Sequence, residues 1–534
     1  MCQPFLEILC LNISETFLIM DVQNETEERY LEDYLKHTGW GLYYKFIIGL
    51  ACACHLLQGL TFVTMSFAVS LSSCDELIIP EITSLSIFVC FLIGSSLGEL
   101  MGNPLSDRYG RKKYLVYSLI GIFAASFVAA FSYNVYVMIG ATLILGVGLE
   151  VNALQIKLLV VEILDKQHRG FWLMFCNMFY VLGYVITIVS VILFETQTII
   201  TLGGITFKQL TPWRTMFAAC GGISLILACV SALIEESPRF YLLIGRNFLA
   251  HLLLKQLFAI NNSSFADNFK IHEDHLNNLI QPYDLNYVEP TSHWEQMKSF
   301  LHRLCRSVKT ATSTRYRKIA TLLVLLKTPL IIIGILQLNI CLSKLMVSSG
   351  SQSLEKFRGM DFIYPVLEPK LYALESNSSS LMCQKTEKNR IFYGSFTALA
   401  SSLIPGHVLG MFVVDRLGRK FICFVGLLTA SCSSLIIGFV QSKLIQLIAM
   451  GCTMASIGVV ISTITLVNLE VFPTAIRSTS NALTNVPGLI LSTFFVTLIV
   501  IDRQMFTIIL GILYFCLAVF TCFLPEMKRK PMVE

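Results

Sequence analysis

Four ionisable residues stand inside long apolar runs of the sequence. His55, Glu150, Lys157 and Lys327 are flanked on both sides by apolar segments. A charged group at the centre of a membrane costs about 2.5–3.5 kcal/mol, so such a residue needs a function or a partner. A carboxylate at Glu150 can bind a cationic solute or take up a proton. Glu150 can equally form a buried pair with Lys157 or Lys327 that fixes helix packing, and the sequence leaves both interpretations open.

Other charged residues occur in a short segment that is present twice. Residues 102–113 read GNPLSDRYGRKK and residues 410–420 read GMFVVDRLGRK, which places Asp415 308 residues after Asp107. We predict a glycine-bounded turn between two apolar runs in each copy. A repeated motif at one fixed spacing indicates an internal duplication. Two acid–base pairs keep the same spacing, Glu162 with Arg169 and Glu470 with Arg477.

Membrane-spanning helices are the elements predicted to position these residues. Of the 534 residues, 54% are hydrophobic and 14% are charged, whereas a soluble domain carries about 25% charged residues. A span needs about 20 apolar residues. The expected fold is an all-α polytopic membrane protein in two pseudo-symmetric six-helix halves. The twelve predicted spans are 43–71, 81–102, 114–133, 136–161, 171–194, 213–234, 319–343, 390–412, 420–440, 443–469, 477–501 and 504–524.

Basic residues predict the orientation of these spans. Lys and Arg are enriched in cytoplasmic loops, and residues 108–113, 302–318 and 528–530 are rich in them. We therefore expect both termini in the cytoplasm. The predicted regions are a cytoplasmic tail (1–42), an N-terminal half (43–234), a cytoplasmic central loop with amphipathic helices (235–317), a C-terminal half (318–524) with an exoplasmic loop (344–389), and a cytoplasmic tail (525–534).

Surface chemistry follows from this topology. Asn377 begins an Asn-Ser-Ser glycosylation sequon in the long exoplasmic loop. The sequons on the cytoplasmic side should stay unmodified. Cys74 and Cys383, which fall in predicted outside loops, leave room for one exoplasmic disulfide. The silent sequons are those at Asn12, Asn24, Asn261 and Asn262.

Several classes of protein are disfavoured by what the sequence lacks. It has no Cys/His spacing typical of a metal site and no glycine loop typical of nucleotide binding. We therefore expect no enzyme, no metal and no cofactor. Residues 5–20 are apolar but lack the basic flank of a cleavable signal peptide. The first span is expected to serve as the signal anchor.

The doubled G-x(4)-D-R-x-G-R-K segment resembles the major facilitator superfamily, and the resemblance covers residues 43–524. Glu236-Ser237-Pro238-Arg239 and the stretch from Glu470 to Arg477 resemble the branch of organic cation transporters and synaptic-vesicle glycoprotein 2. The short first outside loop favours the synaptic-vesicle side of that branch. The acidic pair that usually flanks a glycine of the first span is replaced by Gln58 and Thr61. This departure argues against proton coupling through the first span.

The resemblance implies a secondary transporter that rocks its two halves around a central site. The expected substrate is a small organic solute, an organic cation or a neutral molecule, with a proton or another ion as a candidate co-substrate. We expect a monomer in the lipid bilayer of the plasma membrane or of a vesicle, with no nucleic-acid partner. The alternatives are a non-transporting binding or trafficking protein of the same fold, and facilitated diffusion down a gradient.

The resemblance also implies roles for particular residues. Asp107 should face the positive N-terminal end of a neighbouring helix, and Arg111 should pair across the cytoplasmic surface. Arg108 has an alternative role in fixing topology, and Tyr180 an alternative role as a core aromatic. The expected gating residues are Gly102, Asp107, Arg108, Gly110, Arg111, Glu162, Arg169, Glu236, Arg239, Asp415, Arg416, Arg419, Glu470 and Arg477. The expected cavity residues, on spans one, four, five and seven, are His55, Gln58, Glu150, Gln155, Tyr180, Lys327 and Gln337.

Overall fold

The computed structural model describes the helical body of the chain. It covers residues 34–72, 81–165, 167–196, 201–202, 205–206, 212–263, 265, 269, 305–314, 316–347, 390–440, 442–498 and 503–527. Five predictions fall outside the described residues: the glycan at Asn377, the sequons at Asn12 and Asn24, the Cys74–Cys383 disulfide, and the side chain of Gln337.

The helices of the N-terminal half follow the predicted apolar runs. Backbone groups in lipid must hydrogen-bond within their own segment, which favours helices for these runs. The Asn134 side chain accepts a hydrogen bond from Tyr136 N at 2.9 Å and caps the fourth span. The helices are α1 (Leu42–Ser72), α2 (Glu81–Leu97), α3 (Asn103–Tyr109), α4 (Arg111–Ala130), α5 (Val135–Ile163), α6 (Arg169–Thr196) and α7 (Pro212–Ala232). Strands β1 (Thr201–Leu202) and β2 (Ile205–Thr206) pair antiparallel between α6 and α7.

The duplicated charged segment is helical, so the predicted turn over its whole length is wrong. A π-helical turn, Gly98–Gly102, joins α2 to α3. Pro104 lies in the first turn of α3, where the missing N–H of proline costs no helical hydrogen bond. The helix therefore continues to Tyr109, and the chain turns only at Gly110. Gly110 has φ +107°, a conformation that favours glycine.

Two shorter helices follow the N-terminal half, α8 (Pro238–Leu243) and α9 (Asn247–Asn262). The apolar face of α9 is buried and packs against Leu35. Asn261 Oδ1 also accepts a hydrogen bond from Tyr43 N at 3.1 Å, at the start of α1. This part of the central loop therefore contains an amphipathic helix that is docked on the first span.

The helices of the C-terminal half repeat the pattern. Gly418 has φ +102° and reproduces the sharp turn of Gly110. Of the described helical stretches, eight are long and apolar enough to cross a membrane. The helices are α10 (Arg317–Val347), α11 (Arg390–Leu417), α12 (Arg419–Phe439), α13 (Lys443–Val471), α14 (Arg477–Leu498) and α15 (Arg503–Thr521). Every predicted span falls on one of these helices or on α1–α7.

Each half has its own apolar core. One buried cluster is built mainly from α1, α2 and α4 to α7, and a second is built mainly from α10, α12, α13 and α15. A third cluster joins the halves, with Leu158 and Met174 on one side and Val414 and Val459 on the other. The chain is an all-α polytopic membrane protein with about twelve transmembrane helices in two pseudo-symmetric halves.

Candidate functional site

A cavity of about 400 Å³ lies between the two halves. Helices α1, α2, α5 and α6 line one side of it, and α10, α11, α13 and α14 line the other. Its walls are mostly apolar with a few convergent polar groups, which is typical of a small-molecule site. Those polar groups include two acids, Glu99 and Glu150, and two lysines, Lys157 and Lys327.

Glu99 and Lys327 are linked across the halves through asparagine side chains. Glu99 accepts hydrogen bonds from Asn485 Nδ2 at 2.6 Å, from Asn103 Nδ2 at 2.7 Å and from Asn481 Nδ2 at 3.4 Å. Lys327 Nζ donates to Asn481 Oδ1 and to Asn485 Oδ1, both at 3.0 Å. Both asparagines thus present their amide nitrogen to the acid and their oxygen to the base. We call Glu99, Asn481, Asn485 and Lys327 the amide bridge.

Glu150 and Lys157 form the other ionisable couple of the cavity. They share one face of α5, about two turns or 10.5 Å apart along the helix axis. Within the described part of the chain, neither charged group makes a hydrogen bond or an ion pair. The buried pair considered for Glu150, with Lys157 or with Lys327, is therefore not formed in this structure. The Glu150 carboxylate lines the cavity and is available to accept hydrogen bonds or to bind a cation.

Two histidines of the cavity are held by their own helices. His55 Nδ1 lies 2.8 Å from Ala51 O, and His407 Nδ1 lies 2.9 Å from Leu403 O. A carbonyl oxygen only accepts, so Nδ1 donates in both rings and Nε2 of the neutral ring is an acceptor. Ser462 Oγ reaches His407 Nε2 at 3.4 Å, whereas His55 Nε2 has no partner among the described residues. His55 therefore brings an unused hydrogen-bond acceptor to the cavity region.

Aromatic side chains form one wall of the cavity. Tyr184 donates a hydrogen bond of 2.5 Å to the Tyr180 hydroxyl, and the two ring centroids are 4.8 Å apart. Phe62 stacks on Tyr184 at 6.2 Å and tilts against Phe91 at 5.8 Å. The faces of such rings attract cations and pack against other rings. Tyr180 thus lies at the cavity rather than in a closed core.

One predicted cavity residue is misplaced. Gln155 is fully buried away from the cavity, and its Nε2 donates to Asn103 Oδ1 at 3.1 Å. Five residues beyond Glu150, it is rotated about 140° around α5, which turns it toward α3. The predicted residues that do line the cavity are His55, Gln58, Glu150, Tyr180 and Lys327.

The aspartates of the duplicated segment bind the first turns of helices in the opposite half. Asp107 accepts hydrogen bonds from Ser478 N at 3.3 Å and from Thr479 N at 3.0 Å, at the start of α14. Asp415 accepts one from Phe171 N at 2.8 Å, at the start of α6. The first N–H groups of a helix lack partners within it and attract negative charge. Both copies of the motif thus join the halves in the same way.

Buried glutamates hold arginines from both halves at the same end of the molecule. Glu162 Oε1 lies 3.3 Å from Arg111 Nη2 and 3.1 Å from Arg477 Nη1, and Arg477 belongs to the other half. These groups are almost wholly buried, so each charge depends on its partner. In the second copy, Glu470 Oε1 lies 3.0 Å from Arg419 Nη2 and 3.9 Å from Arg169 Nη1. We call Asp107, Arg111, Glu162, Arg169, Asp415, Arg419, Glu470 and Arg477 the charged cluster.

Glu236 supports this cluster from the end of the sixth span. Its carboxylate accepts hydrogen bonds from Arg111 N at 3.0 Å and Lys112 N at 3.1 Å, the first turn of α4. A Cβ at Gly110 would collide with that carboxylate, so this position needs glycine for space as well as for its φ. Burial raises the pKa of the Glu236 carboxyl above its ordinary value, and the Arg111 guanidinium opposes that shift.

Four predicted gating residues remain, and they are Gly102, Arg239, Arg108 and Arg416. A Cβ at Gly102 would collide with a side chain of α5, so this glycine permits close helix packing. Arg239 Nε donates to the carbonyl oxygen of Glu162 at 3.1 Å and extends the cluster. Arg108 lies over the ring of the next residue at 4.7 Å, and Arg416 is exposed.

Comparison with known proteins is consistent with this architecture. The chain matches the family model for sugar (and other) transporters over residues 41–298. The metabolite transport protein YgcS of Escherichia coli is 28% identical over 170 residues, which cover 32% of this chain and 35% of YgcS. Organic cation/carnitine transporter 7 of Arabidopsis thaliana is 23% identical over 391 residues, 72% of this chain and 71% of that protein.

The fold also matches solved structures. The proton:xylose symporter XylE, from E. coli, aligns with a TM-score of 0.60 and 17% identity, covering 92% of this chain and 98% of that one. The chain has the major facilitator fold. In this chain the duplicated charged cluster and the central cavity lie where the two halves meet. The substrate does not follow from the matches, because the structural likeness concerns the fold.

Four residues that contact the cavity or the charged cluster were missed from the sequence. Glu99, Asn481 and Asn485 lie on spans two and eleven, whereas the prediction took the cavity from spans one, four, seven and ten, with Tyr180 on span five. The signal for Glu99 was present, because it is an acid within a predicted span. Glu526 accepts a hydrogen bond from Arg419 N at 3.0 Å and caps α12 as Glu236 caps α4. Glu526 stands 290 residues after Glu236 rather than 308, so the fixed spacing of the repeat does not point to it.

Proposed function

We propose that this chain is a secondary transporter of the major facilitator superfamily, which moves a small organic solute, an organic cation or a neutral molecule, by alternating access. The observation that carries the proposal is a solute-sized cavity between two halves that are joined at one end by duplicated charged contacts. Such contacts can break and re-form as the halves rock, which moves the access to the cavity from one side to the other.

The charged cluster supports a gating role. Asp107 and Asp415 each reach across to the opposite half, and so do the ion pairs of Glu162 and Glu470. Opening this end exposes charges that are now buried, but water that enters the opening can solvate them. We propose that this end faces the cytoplasm, with both termini on that side, as the positive-inside rule predicts.

The composition of the cavity supports a cationic or neutral solute. Glu99 and Lys327 already neutralise each other through the amide bridge. Among the described residues Glu150 makes no hydrogen bond or ion pair, and it lines a cavity whose aromatic wall includes Tyr180 and Tyr184. A carboxylate beside aromatic faces suits an ammonium group. Lys157, on the same helix face, disfavours a solute that carries a second positive charge. Glu150 and His55 are also the candidate proton carriers if transport is coupled to protons.

Transport is favoured over a non-transporting binding or trafficking role. The relatives named above are described as transport proteins, and both copies of the charged cluster are complete. A static scaffold has less need for contacts that can break reversibly. The replacement of the family's acidic pair by Gln58 and Thr61 fits facilitated diffusion as well as coupled transport.

Uptake by purified protein in liposomes tests the proposal. The assay compares a panel of organic cations, anions and neutral solutes, with and without an inward proton gradient. We expect saturable uptake of a cation or a neutral solute and little uptake of anions. Glu150→Gln should reduce the uptake of cations while that of neutral solutes persists.

The outcomes separate the two functions. Binding detected by thermal shift without any uptake would refute transport and support a receptor on the same fold. Equal losses for cations and neutral solutes in Glu150→Gln would show that this carboxylate serves packing rather than recognition. Lys45→Gln, at an exposed lysine near the start of α1, is the control for a change of surface charge.

A further inference from the structure

We propose that the amide bridge is a second closure between the halves, made inside the membrane, which must break before the cavity opens toward the charged cluster. The claim that the bridge breaks as the cavity opens rests on the proposed function, whereas the claim that the bridge joins the two halves does not. Glu99, Asn485 and Lys327 are then positioning residues of the transport cycle.

The location of the bridge supports this proposal. Glu99 belongs to the N-terminal half, on the π-helical turn after α2, whereas Asn481, Asn485 and Lys327 belong to the C-terminal half. Glu99 and Asp107 lie on one continuous helical stretch, eight residues or about 12 Å apart. Both contact α14, Glu99 at Asn485 and Asp107 at the first turn. The same pair of helices is therefore held at two depths, and one movement that separates them must break both contacts.

Charge makes the bridge an all-or-none contact. A carboxylate only accepts hydrogen bonds and an ammonium only donates them, so the observed amide orientation is the one that suits a charged Glu99 and a charged Lys327. Glu99 is buried to 2% exposure and Lys327 to 5%. If the halves separate, the acid and the base are left in a poorly solvated interior until water or a solute enters. The bridge therefore opposes opening of an empty, dry interface.

An ordinary packing role makes a different prediction. Polar side chains that only fill space would give additive effects, because each substitution would remove its own contacts. In a charge-coupled bridge, removal of one charge leaves the other uncompensated, while removal of both does not. The two roles therefore differ in the sign of the coupling between Glu99 and Lys327.

Hydrogen–deuterium exchange on the full chain in lipid nanodiscs tests the bridge without a known substrate. The variants are Glu99→Gln, Lys327→Met, the two together, and Asn485→Ala, which breaks the relay without adding a net charge. Ser492→Ala is the matched control, because Ser492 is buried on the same helix and bonds only its own backbone at Leu489. Exchange is followed in the segment 477–485 and compared with thermal unfolding of each variant.

We expect each single charge variant to speed exchange in segment 477–485 by about tenfold or more. The double variant should return close to the wild-type rate, Asn485→Ala should fall between, and Ser492→Ala should match wild type. Additive effects in the double variant would overturn the proposal, and so would wild-type exchange in Asn485→Ala. Because no solute is present, these results stand apart from the outcome of the uptake assay. If the single charge variants fail to fold while the double variant folds, the coupling is demonstrated in the stability itself.

Discussion

Substitution of Asp107 by asparagine tests whether the charged cluster controls the balance between closed and open states. The carboxylate accepts hydrogen bonds from Ser478 N at 3.3 Å and Thr479 N at 3.0 Å, and it lies 3.4 Å from Arg111 Nη2. Asparagine keeps the shape of the side chain and one acceptor oxygen. It removes the negative charge that the N-terminus of α14 favours.

The size of the effect follows from these contacts. A hydrogen bond to a charged group contributes about 1.5–3 kcal/mol, and a charge at a helix N-terminus about 0.3–1 kcal/mol. One hydrogen bond can persist through the remaining oxygen, so we expect a net loss of about 2 kcal/mol from the closed state. Because 1.4 kcal/mol corresponds to about a tenfold change, the equilibrium should shift toward the open state by about 30-fold.

Hydrogen exchange and uptake together measure this shift. In Asp107→Asn, the amides of Ser478 and Thr479 should exchange about 30-fold faster when opening limits exchange. Membrane insertion should be normal and uptake slower, because the closed state is visited less. Asp415→Asn is the matched variant, and it should speed exchange at Phe171 instead. Wild-type exchange at α14 together with wild-type uptake would refute the gating role of Asp107.

Two further predictions concern the duplicated turn and the topology. Gly110→Ala should lower the thermal stability by at least about 1–2 kcal/mol, because φ +107° disfavours alanine and the added Cβ collides with a carboxylate. Gly121→Ala, which meets no atom within 4 Å in the middle of α4, should be neutral or stabilising, and equal losses in both variants would refute the argument. Glycan mapping should find modification at Asn377 alone. A glycan at Asn261, whose amide donates to Gly39 O at 3.0 Å, would overturn the topology.

The spans could be predicted from the sequence because lipid leaves the backbone few choices. A run of about 20 apolar residues must form its hydrogen bonds internally, which sets each helix almost independently of the others. The segment from Asn103 to Tyr109 escaped this rule, because it carries charge and a proline and so looks like a turn. Asp107 is instead bound by backbone N–H groups of the opposite half, and Pro104 costs no hydrogen bond in a first turn.

The contacts between the halves could be predicted only where a general rule points to a partner. A carboxylate near a helix start has such a rule, so Asp107 was expected at a neighbouring N-terminus. The pairing of Glu162 with Arg477, 315 residues away, has no local signature. The asparagines of the amide bridge resemble ordinary polar residues of a helix, and their orientation depends on two charges that only the folded structure brings together.

The duplication separates the two kinds of contact further. Asp107 and Asp415 stand 308 residues apart and perform the same task in both copies, whereas Glu99 corresponds at that spacing to His407. His407 bonds to Leu403 O of its own helix and to Ser462 of its own half, so the bridge exists in one copy only. In the proposed transport cycle, the contacts that hold both halves together at one end need the symmetry that the rocking movement requires. Glu99 and His407, which break the repeat, both line the cavity, where two identical walls would be of little use for recognising an asymmetric solute. In a duplicated carrier, the positions that depart from the repeat are therefore the first to examine for specificity.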